Sequence, residues 1–240
     1  MTKTPEQTFS FADGEVLLID KPLQWTSFDV VHKVRNAIKP LKVKVGHAGT
    51  LDPLATGLLI ICTGKFTKRI DEYQAQEKTY TGTITLGATT PSYDLEREID
   101  RRFDVSAITE EQILETAKMF VGEIEQIPPA HSAIKIDGER VYAKARRGEI
   151  VQVKPRKVYI RQFEIVRIDM PHVEFRVVCS KGTYIRSLAH DFGAAMDNGA
   201  HLSQLRRTKI GDFNVASAWQ LPDLVKRIKG INFAISDEDI

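Results

Sequence analysis

The chain has 240 residues, of which 42% are hydrophobic and 28% charged, and its formal net charge is +2 at pH 7. This composition is typical of a folded globular protein and excludes wholesale disorder. Cys62 and Cys179 are too few for a disulfide framework or a four-cysteine zinc site, which favours a reducing compartment. No apolar run approaches the roughly 18 residues of a membrane span, and the N-terminus lacks a signal-peptide pattern. The sequence therefore predicts a cytoplasmic protein that does not bind membranes.

The basic residues are unevenly distributed along the chain. They gather at residues 33–44, 140–157 and 206–209, whereas acidic residues collect around 94–125 and at 237–239. If folding brings the basic segments onto one face, that face can hold the phosphates of a nucleic acid. A solvated surface of mixed charge explains the same pattern, so charge alone leaves both interpretations open.

Apolar runs, continuous or alternating with polar residues, predict the strands. They lie at residues 16–19, 58–62, 79–86, 132–136, 158–168 and 173–179. The Asp137-Gly138 pair fits a turn after the fourth run, and Met170-Pro171 fits a hairpin loop between the last two.

Apolar residues at helical spacing predict the helices. They begin at Thr26 or Ser27, at Thr109, near Glu139, after Gly182 and at Leu221. Pro40 stops the first helix, and Gly122 ends the second, which Thr109 opens with a capping box. Because these elements show no regular βαβ alternation, the predicted fold class is α+β, with a mixed, mainly antiparallel central sheet flanked by helices.

One domain is expected over residues 14–230. A loose leader at residues 1–13 precedes it, and an acidic tail at residues 231–240 follows it.

The most informative segment runs from Gly46 to Gly57 with the sequence GHAGTLDPLATG. Its three glycines permit tight turning, and the proline that follows Asp52, Pro53, has a fixed backbone φ. The segment therefore holds a single carboxylate in a constrained loop. A rigid acid of this kind suits catalysis. A structural turn in which Asp52 accepts backbone hydrogen bonds explains the same residues, and both interpretations stay open at this point.

This segment resembles the signature loop of the tRNA pseudouridine synthase B family. Four further segments resemble motifs of that family in the same chain order, and the five together span about residues 14–215. They are Leu18–Pro22 with Thr26-Ser27, Lys78–Tyr80 with Leu86-Gly87, Cys179–Arg186, and Gly199–Leu202 with Leu205–Arg207. The resemblance implies a pseudouridine synthase catalytic domain that isomerises a flipped-out uridine in the T loop of tRNA.

The resemblance also implies catalytic roles for three residues. Asp52 would be the essential carboxylate, which stabilises positive charge at the ribose C1′, begins an elimination or forms a covalent adduct. Arg186 would pair with Asp52 and keep it ionised, since a guanidinium does not release its proton. Tyr80 would stack on the target uracil or help remove its C5 proton, and stacking is favoured because a phenol acts as a base only with a much-lowered pKa. Taken singly, Arg186 fits a surface arginine and Tyr80 fits a core tyrosine.

Further residues are implied in RNA binding. By resemblance His47 inserts into the RNA where the uridine leaves the stack, and Lys21 buttresses the catalytic loop. Tyr184 would line the pocket, although a packing role explains it nearly as well, and Leu205 belongs to a further family motif and would contact the RNA. Taken singly, His47 fits an ordinary loop histidine and Lys21 an exposed turn lysine. The basic segment after Asp137-Gly138 would clamp the T arm through phosphate contacts. Its candidate residues are Arg140, Lys144, Arg146 and Arg147.

The chain departs from the family pattern at three places. Pro91 stands where the family has an aspartate, which puts an RNA contact of that carboxylate in doubt. Ala48 stands where a threonine is common. Only ten residues follow Gly230, so we expect no C-terminal RNA-binding domain of the PUA type, because even a marginal domain needs on the order of 40 residues.

The resulting hypothesis is an isomerase that acts as a monomer on the T-arm stem-loop of tRNA. It needs no metal and no organic cofactor, because an isomerisation requires neither a redox partner nor a group donor. Two alternatives stay open: a module that binds and refolds tRNA without chemistry, and a related uridine isomerase that acts on another RNA.

Overall fold

In a computed structural model of the protein, residues 8–129 and 154–231 are described, together with the backbone of residues 135–136 and 139–140. The chain forms two compact units. The first contains residues 1–79 and 206–240, and the second contains residues 80–205.

The described residues form α-helices of six to eleven residues and strands of two to fourteen residues. The helices are α1 Ser27–Ala37, α2 Ile70–Ala75, α3 Glu110–Met119, α4 Ile185–Ala194 and α5 Leu221–Lys229, with 3-10 helices at Lys39–Leu41, Gly64–Arg69 and Val215–Ser217. The strands are β1 Val16–Lys21, β2 Val45–Ala48, β3 Ala55–Thr63, β4 Lys78–Leu86, β5 Ala88–Thr89, β6 Arg101–Arg102, β7 Gly122–Gln126, β8 Lys135–Ile136, β9 Glu139–Arg140, β10 Arg156–Asp169, β11 His172–Cys179, β12 Ala200–Ile210, β13 Phe213–Asn214 and β14 Trp219–Gln220.

The first unit is built on the antiparallel pair of β1 and β3, in which Ile19 lies opposite Leu59. Strand β14 extends this sheet beside β1 in parallel, β2 pairs with β3, and the C-terminal half of β12 lies on the other side of β3. Ile19 packs toward α1 and α5, whereas Leu18 and Leu58 pack toward α2 on the opposite face. Both faces are therefore covered, which explains why these strands read as unbroken apolar runs.

Helix α1 begins where the sequence predicts. Of the two predicted caps, Thr26 is the one used: its hydroxyl accepts a hydrogen bond from Asp29 N at 3.0 Å, and the Asp29 carboxylate accepts one from Thr26 N at 2.8 Å. This reciprocal capping box leaves Ser27, the first helical residue, buried with its hydroxyl free to bond elsewhere.

The second unit is a sheet with the order β12-β4-β11-β10-β7, completed by α3 and α4. Strands β10 and β11 form the predicted hairpin, and β7 pairs with the other side of β10. Phe163 of β10 lies 5.6 Å from Phe192 of α4 and 5.8 Å from Phe175 of β11, measured between ring centroids, and both contacts are edge-on. This aromatic cluster holds α4 against the sheet.

The predicted fold class is confirmed: the protein is α+β with mainly antiparallel strands and flanking helices. Cys62 and Cys179 are both buried free thiols. None of the helices in the described part of the chain is long and apolar enough to span a membrane.

Several element boundaries were predicted wrongly. A helix was expected from about Glu139, but Glu139–Arg140 forms β9, which pairs with β8. The remainder of that helix, residues 132–134 of the predicted strand, and the Asp137-Gly138 turn lie outside the described residues. Helix α4 begins at Ile185, three residues after Gly182, and the second helix has its C-cap at Phe120 before Gly122 opens β7. These shifts reflect the difficulty of locating helix ends from residue type alone.

The close approach of β3 and β12 gives a stability prediction. Gly57 has φ of +102°, and a Cβ there would overlap the backbone oxygen and nitrogen of Arg207. Gly122 has φ of +109°, and a Cβ there would meet no heavy atom within 4 Å, so it serves as a control for backbone strain alone. We expect Gly122→Ala to lower the free energy of unfolding by about 1–2 kcal/mol and Gly57→Ala by at least about 3 kcal/mol. Urea denaturation measures both, and equal losses would contradict the close approach.

Candidate active site

Asp52 lies in the loop of residues 49–54 that joins β2 to β3. The residue before it, Leu51, is buried and donates its N–H to the Ser27 hydroxyl at 2.8 Å, while that hydroxyl donates to Leu51 O at 3.1 Å. On the other side, Asp52 O accepts a hydrogen bond from Ala55 N at 3.1 Å. The backbone around the carboxylate is thus fixed to the first turn of α1 and to the start of β3.

Lys21, at the end of β1, is 0% exposed and lies against this loop. Its ammonium group donates to the backbone oxygens of Trp25 at 2.6 Å, Pro22 at 2.8 Å and Pro53 at 3.4 Å. Pro53 O also accepts from Gln24 N at 2.8 Å. A buried lysine therefore ties the turn of residues 22–25 to the residue that follows Asp52.

Burial lowers the pKa of Lys21 from 10.5 to about 8. The negative charge of Asp52 raises this pKa, and the positive charge of Arg207 lowers it. Lys21 and Asp52 are therefore electrostatically coupled, and at neutral pH most Lys21 side chains carry a proton and supply positive charge to the loop.

Arg207 of β12 is the other buried cation of this loop, at 1% exposure. Its guanidinium donates to Leu58 O at 2.8 Å, to Gly49 O at 3.1 Å and to Thr50 O at 3.4 Å. The sequence placed the Arg206-Arg207 pair in a basic segment and in a family motif, but Arg207 was not predicted as a site residue. The sequence signal that could have found Arg207 is the two-residue period of a strand, which places adjacent side chains on opposite faces. Arg206 accordingly lies on the other face, where it pairs with Asp20 at 2.7 Å.

His47 is a residue of β2, paired with Ile61 of β3, and not the loop residue that the sequence predicted. The strand forms because residues 45–48 pair with residues 60–63 before the loop departs. His47 is half-buried, and burial, followed by the positive charge of Arg207, lowers its pKa. Its imidazole is consequently uncharged at neutral pH, which suits contact with a base more than contact with a phosphate.

Arg186, in the first turn of α4 in the second unit, is 4% exposed. Its Nε lies 3.7 Å from the Asp94 carboxylate, and its Nη1 donates to Ser92 O at 3.4 Å. Asp94 was not predicted as a site residue; the sequence singled out Pro91 in this segment, and Pro91 is exposed. The buried carboxylate of this segment is Asp94, and its neighbour Ser92 is also buried.

Tyr93, between those two residues, packs on α4 as well. Its ring stacks on that of His190, one turn beyond Arg186, with centroids 3.9 Å apart and planes 15° apart. Tyr93 has φ of +63°, a left-handed conformation that is costly for an aromatic residue. The stacked pair holds the segment of residues 92–94 against the helix that carries Arg186.

The remaining predicted residues of the second unit lie on β4, just before α4 and on β12. Tyr80 is a buried residue of β4, and Leu205 is a half-buried residue of β12. Tyr184 precedes α4, where its N–H donates to the Gln126 side chain at 2.9 Å and its carbonyl accepts from the same side chain at 3.1 Å. The side chains of Arg140, Lys144, Arg146 and Arg147 lie outside the described residues.

The structure thus brings Asp52, Lys21 and His47 together in the first unit, with Arg207 added. Tyr80, Tyr184, Leu205 and Arg186 belong to the second unit. The pairing of Asp52 with Arg186 stays a prediction. In the first unit alone, a half-exposed carboxylate stands on a rigid backbone beside buried positive charge, an arrangement suited to stabilising a developing cation in a bound substrate.

Comparison with protein families identifies the class. Residues 35–185 match the profile described as "TruB family pseudouridylate synthase (N terminal domain)", and residues 186–232 match the "tRNA pseudouridylate synthase B C-terminal domain". The class is therefore that of the RNA pseudouridine synthases, which are isomerases, as the motifs predicted.

Individual relatives agree with the profiles. A protein of Flavobacterium johnsoniae named tRNA pseudouridine synthase B is 60% identical over 220 residues, which cover 90% of this chain and 95% of the relative. A protein of the same name from Chloroherpeton thalassium is 49% identical over 90% of this chain and 91% of the relative. The chain belongs to the TruB family of pseudouridylate synthases.

Solved structures give the same fold. The chain matches a crystal structure of a Cbf5-Nop10-Gar1 complex with a TM-score of 0.70 and 32% identity, covering 92% of this chain and 57% of that one. It matches a structure of an H/ACA RNP bound to a substrate RNA containing 2′-deoxyuridine with a TM-score of 0.67 and 28% identity. The chain spans a little over half the length of these solved chains.

The lowered pKa of Lys21 gives a pH prediction. Between pH 8 and pH 10.5 the unfolded chain holds a proton on Lys21 that the folded chain has released, so the unfolded state binds more protons and stability rises with pH through this window. The rise amounts to about 3 kcal/mol at most. Below pH 8 the cost of burying the charge is fully present.

Replacing Lys21 by methionine removes this dependence. We expect the stability difference between wild type and Lys21→Met to change by up to about 3 kcal/mol from pH 8 to pH 10.5, in favour of the wild type. Lys65, which is exposed, provides the control substitution Lys65→Met. Chemical denaturation at each pH measures the difference, and parallel curves for wild type and Lys21→Met would contradict the pKa assignment.

Proposed function

We propose that the protein isomerises a uridine in the T loop of tRNA to pseudouridine, with Asp52 as its catalytic carboxylate. The observation that carries this proposal is the 60% identity to a tRNA pseudouridine synthase B over nearly the whole of both chains. The fixed backbone around Asp52 supports the proposal, because side chains of Ser27, Lys21 and Arg207 all form hydrogen bonds with the backbone of its loop.

The reaction requires no group donor. The N1–C1′ bond of the uridine breaks, a C5–C1′ bond forms, N1 gains a proton and C5 loses one, so atoms and electrons balance within the substrate. Positive charge develops at C1′ when the base leaves, and a carboxylate beneath the sugar stabilises it, takes part in an elimination or adds covalently. The carboxylate of Asp52 is chemically able to act in each of these three routes.

Arg186 and Tyr80 complete the proposed catalytic set. A guanidinium stays charged when buried, and Arg186 already holds Asp94 and Ser92 O on its own unit, which fixes its orientation. Tyr80 is buried on β4 and presents a planar side chain suited to stacking on uracil. The roles of both residues come from the family motifs.

We further propose that the T-arm stem-loop is the recognised part of the RNA and that the enzyme works as a cytoplasmic monomer. An extruded uridine leaves a gap in the base stack, which a neutral imidazole such as that of His47 can fill. Tyr184 and Leu205 are proposed to contact the same nucleotide region. Arg140, Lys144, Arg146 and Arg147 would hold phosphates of the T arm.

Another RNA substrate is the main alternative, since an H/ACA RNP structure bound to a substrate RNA is among the structural matches. The tRNA proposal is favoured because sequence identity to the tRNA enzymes is 49–60% over nine-tenths of the chain. Incubation with an isolated T-arm hairpin decides between them: formation of pseudouridine in the hairpin supports the proposal, and modification that requires another RNA contradicts it.

The role of Asp52 gives the mutational test. Asp52→Asn keeps the shape of the side chain but removes its charge and nucleophilicity, so we expect turnover on unmodified tRNA transcript to be abolished while affinity for tRNA stays within a few fold. Asp71→Asn, at an exposed position of α2, is the control and should leave both unchanged. Pseudouridine formation and filter binding are the two measurements. Loss of folding or binding in Asp52→Asn, instead of loss of turnover, would return Asp52 to the role of a structural turn residue.

A further inference from the structure

A groove of about 700 Å³ lies in the first unit, between the turn that follows β1 and helix α5. Its walls are apolar: Pro22 and Trp25 come from the turn, and Leu221, Pro222 and Val225 come from α5. The proposed function assigns no ligand to this groove. A largely apolar concavity of this volume falls in the range of about 300–1,000 Å³ that is typical of ligand-binding sites.

The rim of the groove is positively charged. Lys33 of α1 and Lys226 and Lys229 of α5 are exposed at its edge. Within the described residues no carboxylate pairs with any of these three ammonium groups. Asp20, the acidic residue of the lining, is already held by Arg206, whose two terminal nitrogens lie 2.7 Å and 3.0 Å from its carboxylate oxygens. As far as the described residues extend, the groove therefore presents positive charge without a paired carboxylate around an apolar floor.

The charge of the groove agrees with that of its unit. Residues 1–79 and 206–240 of the first unit include seventeen lysines and arginines against fourteen aspartates and glutamates, whereas residues 80–205 of the second unit include seventeen against eighteen. The first unit thus carries a small net positive charge, of the same sign as the groove rim.

The groove is also linked to the catalytic loop. Trp25, which is half-buried in the groove wall, accepts a hydrogen bond from Lys21 Nζ through its backbone oxygen. The same ammonium group reaches Pro53 O, next to Asp52. A ligand that orders the turn of residues 22–25 therefore acts on the segment that buttresses the catalytic carboxylate.

We propose that this groove binds the substrate RNA, with backbone phosphates on Lys33, Lys226 and Lys229 and one nucleotide base against Trp25. Lysines bind phosphates as point charges, and an aromatic side chain offers a stacking surface to any base. The inference rests on the proposed function for the identity of the RNA. An apolar peptide would leave the three lysines without partners, so RNA fits both the walls and the rim.

The test is equilibrium binding of unmodified tRNA transcript to the full chain at several salt concentrations between about 50 and 200 mM. In a variant carrying Lys33→Gln, Lys226→Gln and Lys229→Gln, we expect affinity at low salt to fall about tenfold or more. The slope of log affinity against log salt should become shallower by about 2, because each lost phosphate contact removes roughly 0.7–0.9 from it. In Trp25→Leu, affinity should fall on the order of tenfold, and Trp25→Phe should retain most of it.

The matched control removes the same charge from cations that already have partners and lie outside the proposed RNA-binding segments. Lys65, Lys118 and Arg167 pair with Asp13, Glu115 and Asp169 respectively, and all three are exposed. Replacing these three by glutamine should leave the salt slope unchanged, and circular dichroism checks the fold of every variant.

The outcomes separate this proposal from the proposed function. A wild-type protein that neither binds nor modifies tRNA would overturn the proposed function. A wild type that binds and modifies tRNA, with a groove variant that matches it in affinity and salt slope, would overturn the groove proposal alone and leave the groove to a protein partner. Equal losses in the groove variant and the control variant would also overturn it, because general charge would then explain the binding.

Discussion

Two buried cations determine the shape of the loop that carries Asp52. Lys21 and Arg207 are removed from water, and their charges are met by backbone carbonyls of residues 22, 25, 49, 50, 53 and 58. A buried charge without such partners costs several kcal/mol, so the loop and the cations stabilise each other. Because peptide oxygens carry only partial charge, they satisfy the cations without neutralising them. The loop consequently keeps a net positive surrounding for its one carboxylate.

Local sequence patterns predicted much of the fold. The apolar runs of β1 and β3, the alternation in β4, β10 and β11, and the caps Thr26 and Thr109 are all confirmed, because each depends on neighbouring residues only. Strand β12 was missed. Its sequence, AHLSQLRRTKI, contains no apolar run, because two of its buried residues, His201 and Arg207, are polar. Both form hydrogen bonds to carbonyls of other strands that are distant in the chain, so the sequence gives no local signal for their burial.

The candidate site shows the same contrast between residues with a local sequence signal and residues whose partners are distant in the chain. Motif resemblance singled out Asp52, Lys21 and Arg186, and the structure gives each a buttressed or buried position. Asp94 and Arg207 were not predicted as site residues, since a buried ion pair across 92 residues or an arginine bonded to a loop 157 residues away has no local signal. The doubt that Pro91 raises about an RNA contact stays a prediction, and three residues later the chain carries Asp94, a buried carboxylate that pairs with Arg186.

The central claim, that buried cations position Asp52 for catalysis, is tested most directly by the rate of pseudouridine formation in single turnover by Arg207→Lys. A lysine keeps the charge but loses the fork that reaches three carbonyls, so the loop should shift. Misplacement by about 1 Å costs on the order of a hundredfold in rate. We predict a loss of this size with tRNA affinity and fold retained, while Arg206→Lys, the adjacent substitution on the opposite face of β12, stays within a few fold of wild type. A wild-type rate in a folded Arg207→Lys protein would contradict the account.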